Sequence, residues 1–294
     1  MNIIDGRQVA ERITVALQSE LAKRDSMPTL HCLLVGEDPA SLLYLKRKEE
    51  YAERLGVGFV LHQLPSGASR EEVSDMVLSL NATPDAFIVQ LPLPAHLHDD
   101  TDDIIQSIDP SRDADGLTLV QRQRVSDGQK GIVATPVAAV IALLNSIAEE
   151  GELEENLPFH YNYNGVSLAA VYKGKRAMVL SDGDVFGDNI ATLLTQAGMV
   201  ATVRSSVSCA LEAEALAANV VVTALGQPGF LQGDMITKGT IVIDVGTTLV
   251  GGKTLGDVDW ASIQNVAAAA TPVPGGVGPV TVAMLYANLL SLTK

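Results

Sequence analysis

Short apolar runs alternate with helix-periodic stretches along most of this chain, and that alternation narrows the possible folds more than any other feature of it. Residues 29–35 (Thr-Leu-His-Cys-Leu-Leu-Val) form an apolar run that ends at Gly36 and reads as a buried strand. Helical periodicity flanks it at 9–21 and at 41–55, the second stretch stopped by Gly56. Residues 58–64 read as another strand. Ser69-Arg70-Glu71-Glu72 is a capping box that opens a helix to about residue 80, and 86–89 is a further short apolar run. A second unit of the same kind follows, with strand candidates at 176–180, 200–203, 220–222 and 241–243 and an apolar helix at 137–147. Strands spaced to leave room for helices imply right-handed crossovers and parallel sheets, so the chain is predicted to be α/β.

The 294 residues are 47% apolar and 19% charged, enough to bury a core and too apolar for a disordered chain. The net charge of −15 excludes non-specific nucleic-acid or anionic-membrane binding as a leading function, because both need clustered Lys and Arg. No uninterrupted apolar run reaches the roughly 18 residues that span a bilayer. The first seven residues lack a signal-like apolar segment. Cys32 and Cys209 are the only cysteines, which predicts reduced thiols in a cytoplasmic, soluble protein. Cys32, in an apolar strand, reads as a core residue. The acidic run at 149–155 reads as a solvated loop, and 160–164, rich in Asn and aromatics, as a loop or short hairpin.

Several segments carry chemistry. Tyr44 and Lys48 stand four apart on a predicted helix and share a face, as a surface pair or as part of a site. Gln90-Leu91-Pro92-Leu93-Pro94 follows a buried strand directly, where an α/β sheet places its ligand crevice. Asp113-Ala114-Asp115-Gly116 puts two carboxylates in one turn. In Thr271-Pro272-Val273-Pro274-Gly275-Gly276-Val277-Gly278-Pro279 the glycines permit close backbone approach to a ligand while the prolines stiffen the loop. His96 and His98 occupy a polar turn with no Cys or third His at metal-binding spacing, so they read as solvent-exposed and no metal is expected.

Together these segments resemble the bifunctional methylenetetrahydrofolate dehydrogenase/methenyltetrahydrofolate cyclohydrolase family. The resemblance runs nearly the whole length: Ile4-Asp5-Gly6, the Val35-Gly36-Glu37-Asp38-Pro39 turn, Tyr44 with Lys48, Gln90 to Pro94, the turn at Asp115, Ala134-Thr135-Pro136, Gly226-Gln227-Pro228-Gly229, Ile243-Asp244-Val245-Gly246, Gly256-Asp257-Val258-Asp259 and the closing loop. It implies oxidation of 5,10-methylenetetrahydrofolate with a nicotinamide cofactor, then hydrolysis of the methenyl product to 10-formyltetrahydrofolate, in one-carbon metabolism and purine biosynthesis. Lys48 then matches the catalytic lysine, suited to proton transfer if desolvation lowers its pKa. Gln90 matches the residue that tunes it, and Tyr44 the ring that packs on folate. Asp115 matches the acid that anchors the pterin edge, with Leu91, Gly276 and Pro279 lining the same crevice. The implied architecture is two α/β domains around a cleft: a folate-binding catalytic domain of residues 1–136 plus 271–294, and a Rossmann-like cofactor domain at 137–270. The C-terminal helix returns to the first. The resemblance also implies a homodimer.

The cofactor loop departs from the family. Where it presents Gly-Arg-Ser, this chain has Ser181, Asp182 and Gly183, followed by Asp184 and, at the close, Gly187. A carboxylate about 4 Å from a phosphate costs on the order of 4 kcal/mol before screening. Two readings stay open. Arg204, with Ser205, Ser206 and Ser208 nearby, replaces the lost arginine as the NADP 2′-phosphate partner; or the dehydrogenase half has shifted to NAD or lost activity, leaving a cyclohydrolase or a non-catalytic folate-binding protein. The implied cofactor set is Ser181, Asp182, Gly183, Gly187, Arg204, Ser208, Thr247 and Thr281, with NADP as cofactor and NAD not excluded.

Overall fold

A computed structural model describes residues 1–148, 168–208 and 211–293 of the protein. The acidic and Asn-rich segments at 149–167, and Cys209, lie outside the described residues. The chain divides into two compact units, Met1–Arg12 with Pro136–Thr281, and Ile13–Thr135 with Val282–Lys294.

The unit containing Ile13–Thr135 is built on three parallel strands in the order Gly58–Leu64, Thr29–Val35, Ala86–Val89. Leu33, Val35, Phe87 and Val89 face Val73, Val77 and Leu80 of the Arg70–Asn81 helix and Ile104, Ile105 and Ile108 beyond it, all buried. Each such side chain contributes roughly 1.5–3 kcal/mol by leaving water. The Ser69 hydroxyl accepts from the Glu72 amide while Glu72 accepts from the Ser69 amide, so the capping box is complete. The Pro39–Leu55 helix starts two residues earlier than periodicity predicts. Asp38 caps it by accepting from the Ser41 amide at 2.8 Å, and Pro39, whose missing N–H costs nothing in a first turn, begins it. Its stop is Gly56, in the left-handed region at φ 72°.

Two features of this sheet set up the turn at Asp115. The Gln90 amide donates to Leu33 O at 2.8 Å, extending the ladder one residue past the strand. Phe87 also pairs with Asp113, through Phe87 N to Arg112 O at 2.9 Å and Ala114 N to Phe87 O at 3.2 Å. The chain at 112–114 therefore lies against the edge of the Ala86–Val89 strand, immediately before Asp115.

The other unit carries six parallel strands in the order Asn2–Ile3, Ala269–Ala270, Ile241–Asp244, Val220–Ala224, Arg176–Ser181, Val200–Arg204. A hairpin of Thr248–Val250 and Lys253–Leu255 is added outside this sheet. The sequence reading grouped residues 1–12 and 271–281 with the first domain; here they join this unit. The reason is strand pairing: Asn2 and Ile3 align with Ala269 and Ala270, which align with Ile241 and Val242. The backbone at Gly6 also lies so close to the Gly276 carbonyl that a Cβ at Gly6 would overlap it. Two-residue strands carry too little periodicity to be seen in sequence. We expect Gly6→Ala to destabilise this unit by about 2 kcal/mol, read as a lowered denaturation midpoint at unchanged m-value.

Candidate active site

Tyr44 and Lys48 lie one turn apart on the Pro39–Leu55 helix, both half-buried. The Lys48 ammonium donates to Gln90 Oε1 at 2.9 Å. Gln90 is buried, and its Nε2 donates to Leu91 O at 2.6 Å. That second bond fixes the amide: only with nitrogen on the carbonyl and oxygen on the ammonium are both contacts satisfied. The Lys48 ammonium is thus held by a neutral acceptor of fixed orientation. Gln90→Glu would set a carboxylate at the same place and turn this neutral contact into an ion pair.

Asp113 organises the turn that presents Asp115. Its buried carboxylate accepts from Gly116 N and Thr118 N, each at 2.8 Å. Burial raises the Asp113 pKa and the Asp115 charge adds to the rise, while hydrogen bonding from Thr118 and Leu117 opposes it. Gly116 sits at φ 71°, a conformation that favours glycine, with Val133 and Ala134 backbone against it. Asp115 itself accepts from Thr135 Oγ1 at 3.0 Å, while the Thr135 amide donates to Asp115 O at 3.2 Å. Cys32 lies fully buried in the central strand. Burial pushes its thiol up to about 12, the Lys48 charge pulling it down and Asp115 adding to the rise, so both charged groups act on this one position. It is a core thiol, inert as a nucleophile.

In the six-stranded unit, strand order reverses between Arg176–Ser181 and Val220–Ala224, and ligands of doubly wound sheets bind off the carboxyl ends at that point. The Asp184–Gln196 helix begins immediately after Ser181-Asp182-Gly183, and its N-cap Gly183 makes no side-chain capping bond. A Cβ on Gly187 would press on Ser181 Cβ at 2.9 Å and Val203 Cγ1 at 3.0 Å, so glycine lets helix and strand pack closely. A tight turn into an uncapped helix N-terminus at the switch point fits the pyrophosphate of a dinucleotide. Asp182 is tied across the strand ends: it accepts from Ser206 N at 2.7 Å, Ser206 Oγ at 2.8 Å and Gln227 Nε2 at 2.9 Å. Arg204 is paired internally, with Glu214 and with Val203 O, so its charge is already compensated in place.

The family model described as "Tetrahydrofolate dehydrogenase/cyclohydrolase, catalytic domain" matches residues 4–115, and "Tetrahydrofolate dehydrogenase/cyclohydrolase, NAD(P)-binding domain" matches 167–294. The chain belongs to the tetrahydrofolate dehydrogenase/cyclohydrolase family. A protein of Campylobacter fetus named Bifunctional protein FolD is 36% identical over 300 residues, covering 100% of this chain and 98% of its own. The structure of a Trypanosoma brucei methylenetetrahydrofolate dehydrogenase-cyclohydrolase, complexed with NADP and an inhibitor, superposes with a TM-score of 0.86 at 33% identity, covering 99% of this chain and 96% of that one. The bifunctional enzyme of Campylobacter jejuni also reaches 0.86, at 28% identity over 99% and 98% of the two chains.

Of the residues the family resemblance singles out, the structure brings Lys48 and Gln90 into direct contact and places Tyr44, Leu91 and Asp115 in the same unit. The Tyr44 ring lies under the Arg47 guanidinium, 5.7 Å from its centroid. Gly276, Pro279, Thr247 and Thr281 belong to the six-stranded unit. There Thr281 Oγ1 donates within its own helix to Val277 O at 3.2 Å, Thr247 is exposed, and the Ser208 amide donates to Ser205 O at 3.1 Å. His96 and His98 are exposed, with His96 Nε2 at 3.0 Å from Ala68 O.

Sequence reasoning missed the part played by Asp244 and Asp257, quoted only as motif letters. The Asp257 carboxylate accepts from Leu225 N and Gln227 N at 2.6 and 2.7 Å. Asp244 accepts from Thr223 Oγ1, Gly246 N, Asp257 N and Val258 N. Two buried acids thus shape the loops at the carboxyl ends of the strands, a role visible in advance only for Asp244, which directly follows an apolar run.

Proposed function

We propose that this chain oxidises 5,10-methylenetetrahydrofolate to the 5,10-methenyl compound and hydrolyses that to 10-formyltetrahydrofolate. The observation that carries the reading is the half-buried Lys48 ammonium held at 2.9 Å by a neutral amide whose orientation Leu91 O fixes. In the hydrolysis, water adds its oxygen to the methenyl carbon and gives up one proton. The remaining hydroxyl proton leaves as that oxygen becomes the formyl carbonyl, the carbon–N5 bond breaks, and N5 takes a proton in its place. Lys48 Nζ moves these protons, Gln90 holds it in place for that, and Asp115 accepts from the amino-pyrimidine edge of the pterin. Tyr44 packs on the ring system and restricts its orientation.

The cofactor, which accepts the hydride when bound, is read as NADP. Support comes from the family's NAD(P)-binding domain, from the uncapped helix N-terminus at Gly183, and from NADP in the Trypanosoma brucei relative. Ser181, Asp182, Gly183 and Gly187 form the phosphate turn, and Asp182 sets the bias between dinucleotides. Its carboxylate, exposed and bonded to Ser206 off the end of the second strand of the fold, repels a 2′-phosphate and accepts readily from a ribose hydroxyl. Asp182→Asn is therefore expected to raise the NADP-over-NAD ratio of kcat/KM roughly tenfold, a screened fraction of the full charge repulsion. An unchanged ratio would remove Asp182 from discrimination. A cytoplasmic homodimer serving one-carbon metabolism and purine biosynthesis completes the reading, on family membership alone. Among the described residues no helix is long and apolar enough to cross a membrane.

The test is an absorbance assay of methylenetetrahydrofolate with NADP and with NAD, following reduced cofactor and methenyl compound, together with hydrolysis of added methenyltetrahydrofolate. Reduced cofactor and loss of methenyl absorbance are expected. Neither signal with purified, folded protein would overturn the proposal.

A further inference from the structure

The last helix, Val277–Leu292, crosses into the three-stranded unit and buries two polar side chains there: Tyr286, fully buried, and Asn288, 3% exposed. A buried hydroxyl or amide in an otherwise apolar run is costly unless it is bonded, so the partners of these two groups state what they are for.

Tyr286 donates to the backbone carbonyl of Lys48 at 2.6 Å. Its ring stacks on Tyr51, with centroids 5.3 Å apart. Tyr51 stands one turn beyond Lys48 on the same helix, and its hydroxyl lies 2.6 Å from Thr14 Oγ1. The Lys48 carbonyl accepts within the helix through one lone pair, and Tyr286 takes the other. The base of the lysine side chain is thereby tied to the last helix, while its tip is tied to Gln90.

Asn288 donates through one nitrogen to two carbonyls, Ala114 O at 2.9 Å and Val133 O at 3.0 Å. Ala114 immediately precedes Asp115. Val133 is two residues before Thr135, whose hydroxyl donates to the Asp115 carboxylate. A single amide therefore joins the two backbone segments that carry the acid and its donor. Positions 286 and 288 are about 200° apart around a helix, so one short stretch reaches in two directions.

We propose that Tyr286 and Asn288 are positioning residues that fix Lys48 and Asp115 from one helix, Tyr286 acting on proton transfer at the lysine and Asn288 on folate anchoring at the acid. The inference rests on the roles given to Lys48 and Asp115 under Proposed function, and it goes further in assigning two side chains that touch neither substrate nor cofactor. The two residues are separable by kinetics, because loss of lysine alignment shows in kcat and loss of the anchor shows in KM.

The experiment measures both activities of full-length Tyr286→Phe, which keeps the ring and removes the hydroxyl, and Asn288→Leu, which keeps the volume and removes the donors. Tyr286→Phe is expected to lower hydrolytic kcat about fivefold, leaving folate KM and dehydrogenase kcat within about twofold of wild type. Asn288→Leu is expected to raise folate KM about fivefold in both reactions with smaller change in kcat. Asn288→Ser, which keeps a shorter donor, serves if the leucine variant does not fold, and is expected to raise KM by about half as much. Lys48→Met is measured in parallel. If it abolishes hydrolysis while Tyr286→Phe and the Asn288 variant match wild type, or shift kcat and KM together in both reactions, the positioning proposal is overturned and the site reading stands. If Lys48→Met keeps its hydrolysis rate, the site reading fails and takes this inference with it.

Discussion

Lys48→Met is expected to reduce hydrolysis of methenyltetrahydrofolate by about three orders of magnitude, within the range contributed by a positioned acid–base group, while the protein stays folded. The fold survives because Lys48 is only half-buried, and its ammonium bonds to the Gln90 side chain without joining an apolar core. Methionine replaces the stem at similar length, so the local packing lost is small. What disappears is the ammonium that the proposed reaction uses to move its protons. Gln90 is left with its Oε1 buried and without a donor, a cost of about 1–3 kcal/mol that a melting curve will register without unfolding the chain. The measurement is loss of methenyl absorbance under single-turnover conditions, with circular dichroism as the control for folding. A variant retaining most of the wild-type rate excludes Lys48 from the reaction.

The largest effect on stability is expected at Gly256→Ala. A Cβ there would overlap the Asp244 carboxylate and approach Val273 Cγ2 at 2.7 Å. Asp244 cannot move aside: it is buried in the Ile241–Asp244 strand and accepts four hydrogen bonds that hold Thr223, Gly246, Asp257 and Val258. Displacing it leaves those donors unsatisfied as well as overpacking the loop, so a loss of about 3 kcal/mol or more is expected, roughly 6–12 °C in Tm. The same carboxylate gives a pH signature. Burial raises its pKa to about 6, the bonds from Asp257 N, Thr223 and Val258 N opposing and the charge of Asp257 adding to it. A folded-state pKa above the unfolded value of about 4 means that its contribution to stability is complete below that value and is lost as pH rises through about 6. Asp244→Asn should flatten that part of the stability profile. A wild-type profile already flat between those values would show that the carboxyl titrates normally.

Part of the fold was legible because burial on both faces of a central parallel strand, as at Thr29–Val35, writes itself as a continuous apolar run. The strands at Thr29–Val35, Gly58–Leu64 and Ala86–Val89 begin and end where the sequence pattern puts them, and the four read in the second unit differ by a residue or two, while the hairpin of Thr248–Val250 and Lys253–Leu255 was not read from the sequence. The strands at Asn2–Ile3 and Ala269–Ala270 were not legible, since two residues make no pattern and pair only because distant segments meet. The site was legible where a motif fixes the local backbone: Gln90 follows a buried strand, and Lys48 sits one turn from Tyr44. Other parts were hidden because a hydrogen bond between residues far apart in sequence leaves no local trace. Thr135 reaches Asp115 from twenty residues away, and Asn288 reaches Ala114 from 174. Arg204 shows the converse. Its position invited a role toward phosphate, and Glu214, ten residues on, already occupies the guanidinium.

The sequence by itself determined the α/β class, the main strands and the family, because each depends on local periodicity or on residues adjacent in the chain. Tertiary structure alone decided that the Gln90 amide faces Lys48 with its oxygen, that Asp182 is bound to Ser206 and Gln227, and that the last helix supports both Lys48 and Asp115. Those outcomes depend on which donors and acceptors, remote along the chain, are left to satisfy one another once water is excluded.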